Sequence, residues 1–246
     1  MNISSLQLKL ALLVSSSILT GSFLQTQALA NHRRLPPGGR IAIVVDERLS
    51  VLRATPDLSG KLLRRVGRGK LVAVRRERRS SDGILFYQVN VTKRTRGWIQ
   101  RDAVISMRQA GDAQRLLRLI RASDDFDRVA RARIFLDVFP QSRLRPGVLV
   151  LFGDAAAEAA LKVSHDAVRR LDEEEMKANP APEFSYFLNF NGLDRYARQG
   201  IRFVFDREQK KFHYDGAAWR EIIRRYPRSP EAETARTRLE ALSKVQ

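Results

Sequence analysis

The sequence predicts an α+β, multi-domain protein. A small all-β barrel over residues 40–106 is followed by a mainly α-helical, repeat-like region over 109–246 that carries one small hairpin. Three observations predict this. Residues 40–106 break into short apolar runs punctuated by Gly, Pro, Ser and Asp. After Ser106 the apolar period lengthens from two residues to that of a helix. The charge also divides at that point, with a net +11 over residues 40–108 and +4 over 109–246.

The first half reads as strands in order. Arg40-Ile-Ala-Ile-Val-Val45 is an apolar run. Leu49-Ser-Val51-Leu-Arg53 begins a second, which Thr55-Pro56 ends, because proline disfavours helix at the residue before it. Leu71-Val-Ala-Val74 is entered through Gly67 and Gly69. In Tyr87-Gln-Val89-Asn-Val91 apolar and polar residues alternate, so one face can pack while Gln88, Asn90 and Thr92 meet water. Lys93 to Arg96 forms a polar tip. Gly97 then supplies a backbone conformation that a side chain would resist, and Trp98-Ile99 turn back as a hairpin. Trp98, at the end of that hairpin, is expected in the core.

Leu49-Ser-Val51-Leu-Arg53-x-x-Pro56, the turn at Gly67 to Gly69, Tyr87-x-Val89 and Gly97-Trp98-Ile99 together resemble the bacterial Src homology 3 domain of secreted proteins. The resemblance spans residues 40–106. Two departures are Val51-Leu52-Arg53, one residue longer than the usual Val-Arg, and a longer, more basic loop over Arg75 to Ser81. The resemblance implies peptidoglycan binding or a small adaptor role.

The chain has 246 residues, a formal charge of +18 and no cysteine. Disulfides, thiolate chemistry and lipid attachment through an N-terminal cysteine are therefore excluded. Lys9, the apolar Leu10 to Leu24 and the small-x-small Ala28-Leu29-Ala30 read as an export leader cleaved after Ala30, with residues 31–39 as a linker. An uncleaved anchor is the other reading, but the apolar run falls short of the roughly 20 residues a span requires. A basic field favours anionic partners. For an exported protein these are wall polymers, lipopolysaccharide and lipid head groups. An arginine-rich proteome explains the charge equally well, and export argues against nucleic acid.

In the second half Ala113, Leu116, Leu117 and Ile120 share a helix face. Asp124 or Asp125 can cap the next helix, whose stripe is Phe126, Val129, Ala130, Ile134 and Val138 and which Pro140 stops. Pro146 opens a third, Ala-rich helix that can continue to Met176. Asn179-Pro-Ala-Pro182 is a break. Ser185 to Tyr196 is expected to be helical, and Ile201, Phe203, Phe205 against Phe212, Tyr214 form a hairpin. Ala217 to Tyr226 is a helix. Ser229 with Pro230 opens the last one, striped by Ala232, Ala235, Leu239 and Leu242. Phe139-Pro-Gln-Ser142 and Tyr226-Pro-Arg-Ser229 echo each other 87 residues apart. Helix, aromatic-Pro-x-Ser, Ala-rich helix is similar to tetratricopeptide pairs, although those recur at about 34 residues.

No catalytic, cofactor-binding or metal-binding set emerges, and no enzyme is expected. His32, His165 and His213 are far apart. Glu173-Glu-Glu175 points in several directions on a helix. Asp46-Glu47 would point to opposite faces of a strand, which argues against a glycosidase pair. The candidate ligand-binding residues are Arg75, Arg76, Arg78 and Arg79, which could grip phosphates or carboxylates, and Tyr87, which like Trp98 could stack on a sugar. A soluble charged loop and a core aromatic are the competing readings. The leading expectation is an exported, non-enzymatic binding or adaptor protein of the cell envelope. Its barrel would hold an anionic wall polymer or peptide, its helical half would contact protein, and it would meet membrane only at the surface. A helical scaffold with a structural barrel is the alternative, and a wall hydrolase or hydrolase accessory the third.

Overall fold

The computed structural model describes residues 38–244. The leader expected over residues 1–30 and most of the linker lie outside the described residues. The chain is α+β: an antiparallel seven-stranded sheet is followed by helices. The strands are β1 (Arg40–Val44), β2 (Val51–Arg53), β3 (Leu62–Arg65), β4 (Leu71–Arg79), β5 (Leu85–Asn90), β6 (Arg96–Gln100) and, after a 3-10 turn at Arg101–Ala103, β7 (Val104–Ile105). Their order in the sheet is β3-β2-β6-β5-β4-β1-β7. A second, two-stranded sheet pairs β8 (Phe203–Asp206) with β9 (Lys211–Tyr214), the hairpin anticipated there.

Two cores share the first sheet. Ala42, Val44, Leu52, Val72, Val74, Tyr87, Val89 and Ile99 pack together on one side. Ile43, Val45 and Ile105 point the other way and join the helical core. β1 is thus covered on both faces, and its sequence is accordingly a continuous apolar run rather than an alternating one. The expected boundary near residues 106–109 marks a change of secondary structure, and packing runs straight across it.

The helices are α1 (Asp112–Arg121), α2 (Asp125–Val138), α3 (Arg145–Arg170), α4 (Glu173–Ala178), α5 (Glu183–Leu188), α6 (Asp194–Ala197), α7 (Ala217–Arg225) and α8 (Glu231–Ser243). α2 packs on α1 and α3, α3 on α7, and α7 on α8. The two aromatic-Pro-x-Ser segments are the turns from α2 to α3 and from α7 to α8. Small residues set the spacing: a Cβ on Gly153 of α3 would lie 2.4 Å from the Trp219 Nε1 of α7. The hairpin docks on α3 through Ser164, whose Oγ accepts from the Phe212 N–H at 2.7 Å and donates to the Ala160 carbonyl at 2.7 Å. The N-terminal N–H groups of α7 are met by side chains. The Asp215 carboxylate accepts from Ala217 at 2.9 Å and the Tyr214 hydroxyl from Ala218 at 2.8 Å. Burial holds the Tyr214 pKa well above the ordinary phenol value.

Several local expectations change. β4 runs to Arg79, so the expected basic loop from Arg75 is the outer half of a strand, paired from Arg76↔Gln88 to Arg79↔Leu85. All five residues from Arg75 to Arg79 are exposed, so the segment lacks the apolar alternation that identifies a strand. β3 was not anticipated, for the same reason: all four of its residues are exposed. α3 stops at Arg170 instead of reaching Met176, because the Asp172 carboxylate accepts from the Glu174 and Glu175 N–H groups and starts α4. The expected helix over Ser185 to Tyr196 is two short ones, α5 and α6. Asp124 is the N-cap of α2, but its carboxylate pairs with Arg128 at 3.1 Å and caps no N–H. At α8 the N-cap position falls to Pro230, and the Ser229 hydroxyl caps nothing. No helix among the described residues is long and apolar enough to cross a membrane.

Candidate binding face of the sheet

The faces of the sheet follow from its register, since residues directly opposite in an antiparallel pair point the same way. Tyr87, paired with Ile99 and Glu77, points into the core of the sheet. The residues between point outward. Arg76 lies opposite Gln88, Gln88 opposite Trp98, and Trp98 opposite Arg53. This row crosses β4, β5, β6 and β2, roughly 14 Å at the usual strand spacing. Arg78 lies on the same face opposite the fully buried Phe86, and Arg96 opposite Asn90. The outer face is therefore a half-buried indole and an amide bordered by four guanidinium groups, and it is covered at Phe86, which is fully buried.

The bulge in β4 produces this arrangement. Val74 pairs with Val89 and Arg76 with Gln88, so Arg75 is the extra residue. A bulge shifts the alternation by one position. Without it, Arg76 would continue the inward parity of Val72 and Val74. Arg75 itself turns toward the entering chain. Cβ atoms on Gly38 and Gly39 would meet its side chain, and one on Gly39 would lie 2.4 Å from the Val74 carbonyl oxygen. Both glycines have positive φ, 66° and 99°, which L side chains resist. Arg79 closes the hairpin, its Nη1 donating to the Gly83 carbonyl at 2.6 Å.

The five expected ligand-binding residues therefore separate. Arg76 and Arg78 reach the outer face, Arg75 lies against Gly38 and Gly39, Arg79 donates to the Gly83 carbonyl, and Tyr87 is removed from consideration. Its ring is 5% exposed, with the Arg40 guanidinium over it at 5.4 Å from the centroid, so no sugar can stack there. Trp98 is corrected in the opposite sense. It belongs to neither core and is half-buried on the outer face. Arg53 and Arg96 were not singled out in the sequence. Their signal was strand parity: if Ile99 packs inward, Trp98 and its cross-strand neighbours cannot.

Charge on this face is only partly offset, Asp57 interacting electrostatically with Arg53. Arg76, Arg78 and Arg96 make no ion pair or side-chain hydrogen bond among the described residues. Three other acids of this half have partners of their own: Asp46 with Arg131, Asp102 with Arg115 at 3.0 Å, and the Glu47 carboxylate with the Arg68 N–H at 2.9 Å. Glu77 has the inward parity of Tyr87. Arg53 is held in place, its Nη1 donating to the Gly60 carbonyl at 2.8 Å.

Gly97 was expected to supply an unusual backbone conformation. Its φ is not positive; close approach is what demands glycine. A Cβ there would lie 2.7 Å from the Arg53 carbonyl oxygen and 2.8 Å from Leu52 Cγ. Gly97→Ala is expected to cost about 1–3 kcal/mol through forced displacement of β2. A urea midpoint unchanged from the parent would show that β2 yields freely.

The remaining sequence candidates resolve as structure. Asp46 is 5% exposed and takes the Arg48 N–H at 2.9 Å, whereas Glu47 is exposed, so the two are not a catalytic pair. They line a cleft of about 520 Å³ against the start of α2, where Arg68 pairs with Asp127 at 2.8 Å and Arg131 with Asp46 at 3.4 Å. His213 is buried in β9, 4.0 Å from Asp206. Glu173, Glu174 and Glu175 form the first turn of α4. Among the described residues no three His, Asp or Glu side chains are grouped to hold a metal.

Comparison with known proteins yields no matching family model, and no curated protein or solved structure matches at a significant level.

Proposed function

We propose that this chain is an exported, non-enzymatic binding protein of the cell envelope whose outer sheet face holds an anionic wall polymer. The observation that supports it is the Arg76–Gln88–Trp98–Arg53 row with Arg78 and Arg96 beside it. Guanidinium groups bind carboxylate and phosphate in two-pronged fashion, and an indole offers an apolar surface to a sugar ring. The sheet is a bacterial Src-homology-3-like barrel in this reading, which rests on the Gly97-Trp98-Ile99 and Tyr87-x-Val89 motifs. The helical half contacts protein. Its tetratricopeptide-like character rests on α2, α3, α7 and α8 packing in succession.

Co-sedimentation of the full chain with insoluble wall material, across a salt series, tests the proposal. The combined Arg76→Gln, Arg78→Gln and Arg96→Gln variant is expected to bind about tenfold more weakly or worse, which is 1.4 kcal/mol. Its remaining binding should depend less on salt, because fewer screened charges carry the contact. Trp98→Ala is expected to lose binding while costing only about 1 kcal/mol of stability, the typical effect of one substitution outside a core. Unchanged binding with an unchanged salt response in both variants would favour the helical scaffold, in which the sheet is only structural. Cross-links confined to residues 109–244 would then identify the partner face.

A further inference from the structure

A second surface has the opposite chemistry. Between the end of α3 and the α5–α6 turn lies an open groove of about 430 Å³, lined by Asn179, Ser185, Tyr186, Asn189, Phe190 and Asn191, and no residue in its lining carries a charge. The volume falls within the range of small-ligand sites. In a chain with 29% charged residues, an amide-rich and aromatic lining separates this groove from its surroundings.

The hydrogen-bonding capacity of the groove is only partly used. The Asn179 Oδ1 accepts from the Ala181 N–H at 3.2 Å, which leaves its amide hydrogens available. Asn189 Nδ2 donates to the Ser185 carbonyl at 2.9 Å, which leaves its oxygen free to accept. The Ser185 hydroxyl donates to the Pro182 carbonyl at 2.7 Å and keeps its lone pairs. The Asn191 side chain makes no hydrogen bond among the described residues. The Tyr186 hydroxyl is buried and reaches no protein partner. The exposed part of this half-buried side chain is therefore its ring, which is the surface it offers to the groove.

The rings are held in place. A Cβ on Gly192 would lie 2.4 Å from the Phe190 ring, so the chain folds tightly under that ring. Tyr186 and Phe190 both pack against the helical core. The groove thus offers donors and acceptors intermingled around fixed aromatic surfaces. A sugar hydroxyl is donor and acceptor at once, and the C–H face of a pyranose is apolar. We propose that this groove binds a neutral carbohydrate, one or two sugar residues in length. The site is separate from the basic sheet face and independent of its reading.

NMR titration of the full chain with two neutral disaccharides, N,N′-diacetylchitobiose and cellobiose, tests this. At least one is expected to shift the side-chain amide signals of Asn179, Asn189 and Asn191, with an affinity that does not change with salt. Tyr186→Leu is expected to weaken binding about tenfold, by removing the ring surface while keeping an apolar contact with the core. Its melting temperature should stay close to that of the parent, since an apolar contact is kept and an orphan hydroxyl is removed. Asn191→Ala, at an exposed position, should weaken binding without affecting folding. Absence of shifts with both sugars, unaltered affinity in both variants, or displacement of the sugar by an uncharged peptide of similar size would overturn the assignment. Salt-independent sugar binding would stand even if the sheet face failed to hold wall material.

Discussion

Arg131→Met is expected to lower the unfolding free energy by about 3–5 kcal/mol, the usual result of removing one partner of a buried ion pair. Arg131 is 3% exposed on α2 and Asp46 is 5% exposed just beyond β1. The guanidinium joins helix to sheet through three groups. Its Nε donates to the Val45 carbonyl at 3.1 Å, its Nη1 to the Ser123 hydroxyl, and its Nη2 lies 3.4 Å from the Asp46 carboxylate. Burial, and after it the neighbouring Arg68, pull the Arg131 pKa below the ordinary guanidinium value, against the opposing effect of Asp46 and Asp127. The group stays charged, because an arginine starts so far above neutral pH. Methionine restores the aliphatic stem but abandons a buried carboxylate and a buried carbonyl. Most of the loss is therefore the cost of leaving buried Asp46 with only the Arg48 N–H and the exposed Arg48 guanidinium at 3.6 Å, not the strength of the 3.4 Å contact. That account makes a second, sharper expectation: adding Asp46→Asn to Arg131→Met should recover part of the loss. Chemical denaturation of the four proteins of this cycle gives both numbers. A single-variant cost below about 1 kcal/mol would mean that water reaches Asp46 and that the pair behaves as a surface one.

Trp219→Ala is the other large effect, at about 3–5 kcal/mol, typical of emptying a large aromatic site. Trp219 is 3% exposed, meets Tyr214 edge-on at 5.3 Å between ring centroids, and fills the space over Gly153. Its indole is what α7 places against α3. The same contact predicts the behaviour of Gly153. In an unobstructed helix Gly→Ala stabilises by about 1 kcal/mol. Here the added methyl would meet the indole at 2.4 Å, so Gly153→Ala is expected to cost about 1–3 kcal/mol instead. In the Trp219→Ala background the obstruction is gone, and the same substitution should become neutral or stabilising. Thermal unfolding of the two single variants and the double variant measures this coupling directly. Additive costs would show that α3 and α7 can separate to accommodate the methyl, and that the indole does not set their spacing.

The fold class was readable because it rests on local periodicity. Tyr87, Val89 and Val91 alternate with polar residues and pack as the pattern requires. The stripe of α2, the opening of α3 at Pro146 and the hairpin from Phe203 to Tyr214 follow from the same local rules. The face of Trp98 was also implicit in the chain, since Trp98 and Ile99 are neighbours in a strand and cannot both point inward. A large aromatic beside a glycine suggested the core more strongly than parity suggested the surface.

What the sequence by itself determined is the succession of a basic, strand-rich half and a helical half, with the positions of most helices. Tertiary structure alone decided three things. The bulge at Arg75 turned Arg76 and Arg78 to the outer face, and a bulge depends on the partner strand β5, not on the residue that bulges. Arg131 became a buried anchor, and nothing in an amphipathic helix distinguishes the arginine that will meet a carbonyl 86 positions away from those that will meet water. The uncharged groove was assembled from Leu171 after α3, Asn179 and Ala181 after α4, and α5 with the α5–α6 turn, where the sequence had read one break and one continuous helix. In each case the deciding contact falls beyond the few residues over which periodicity is read, and local pattern carries no information about which of the remaining residues will meet.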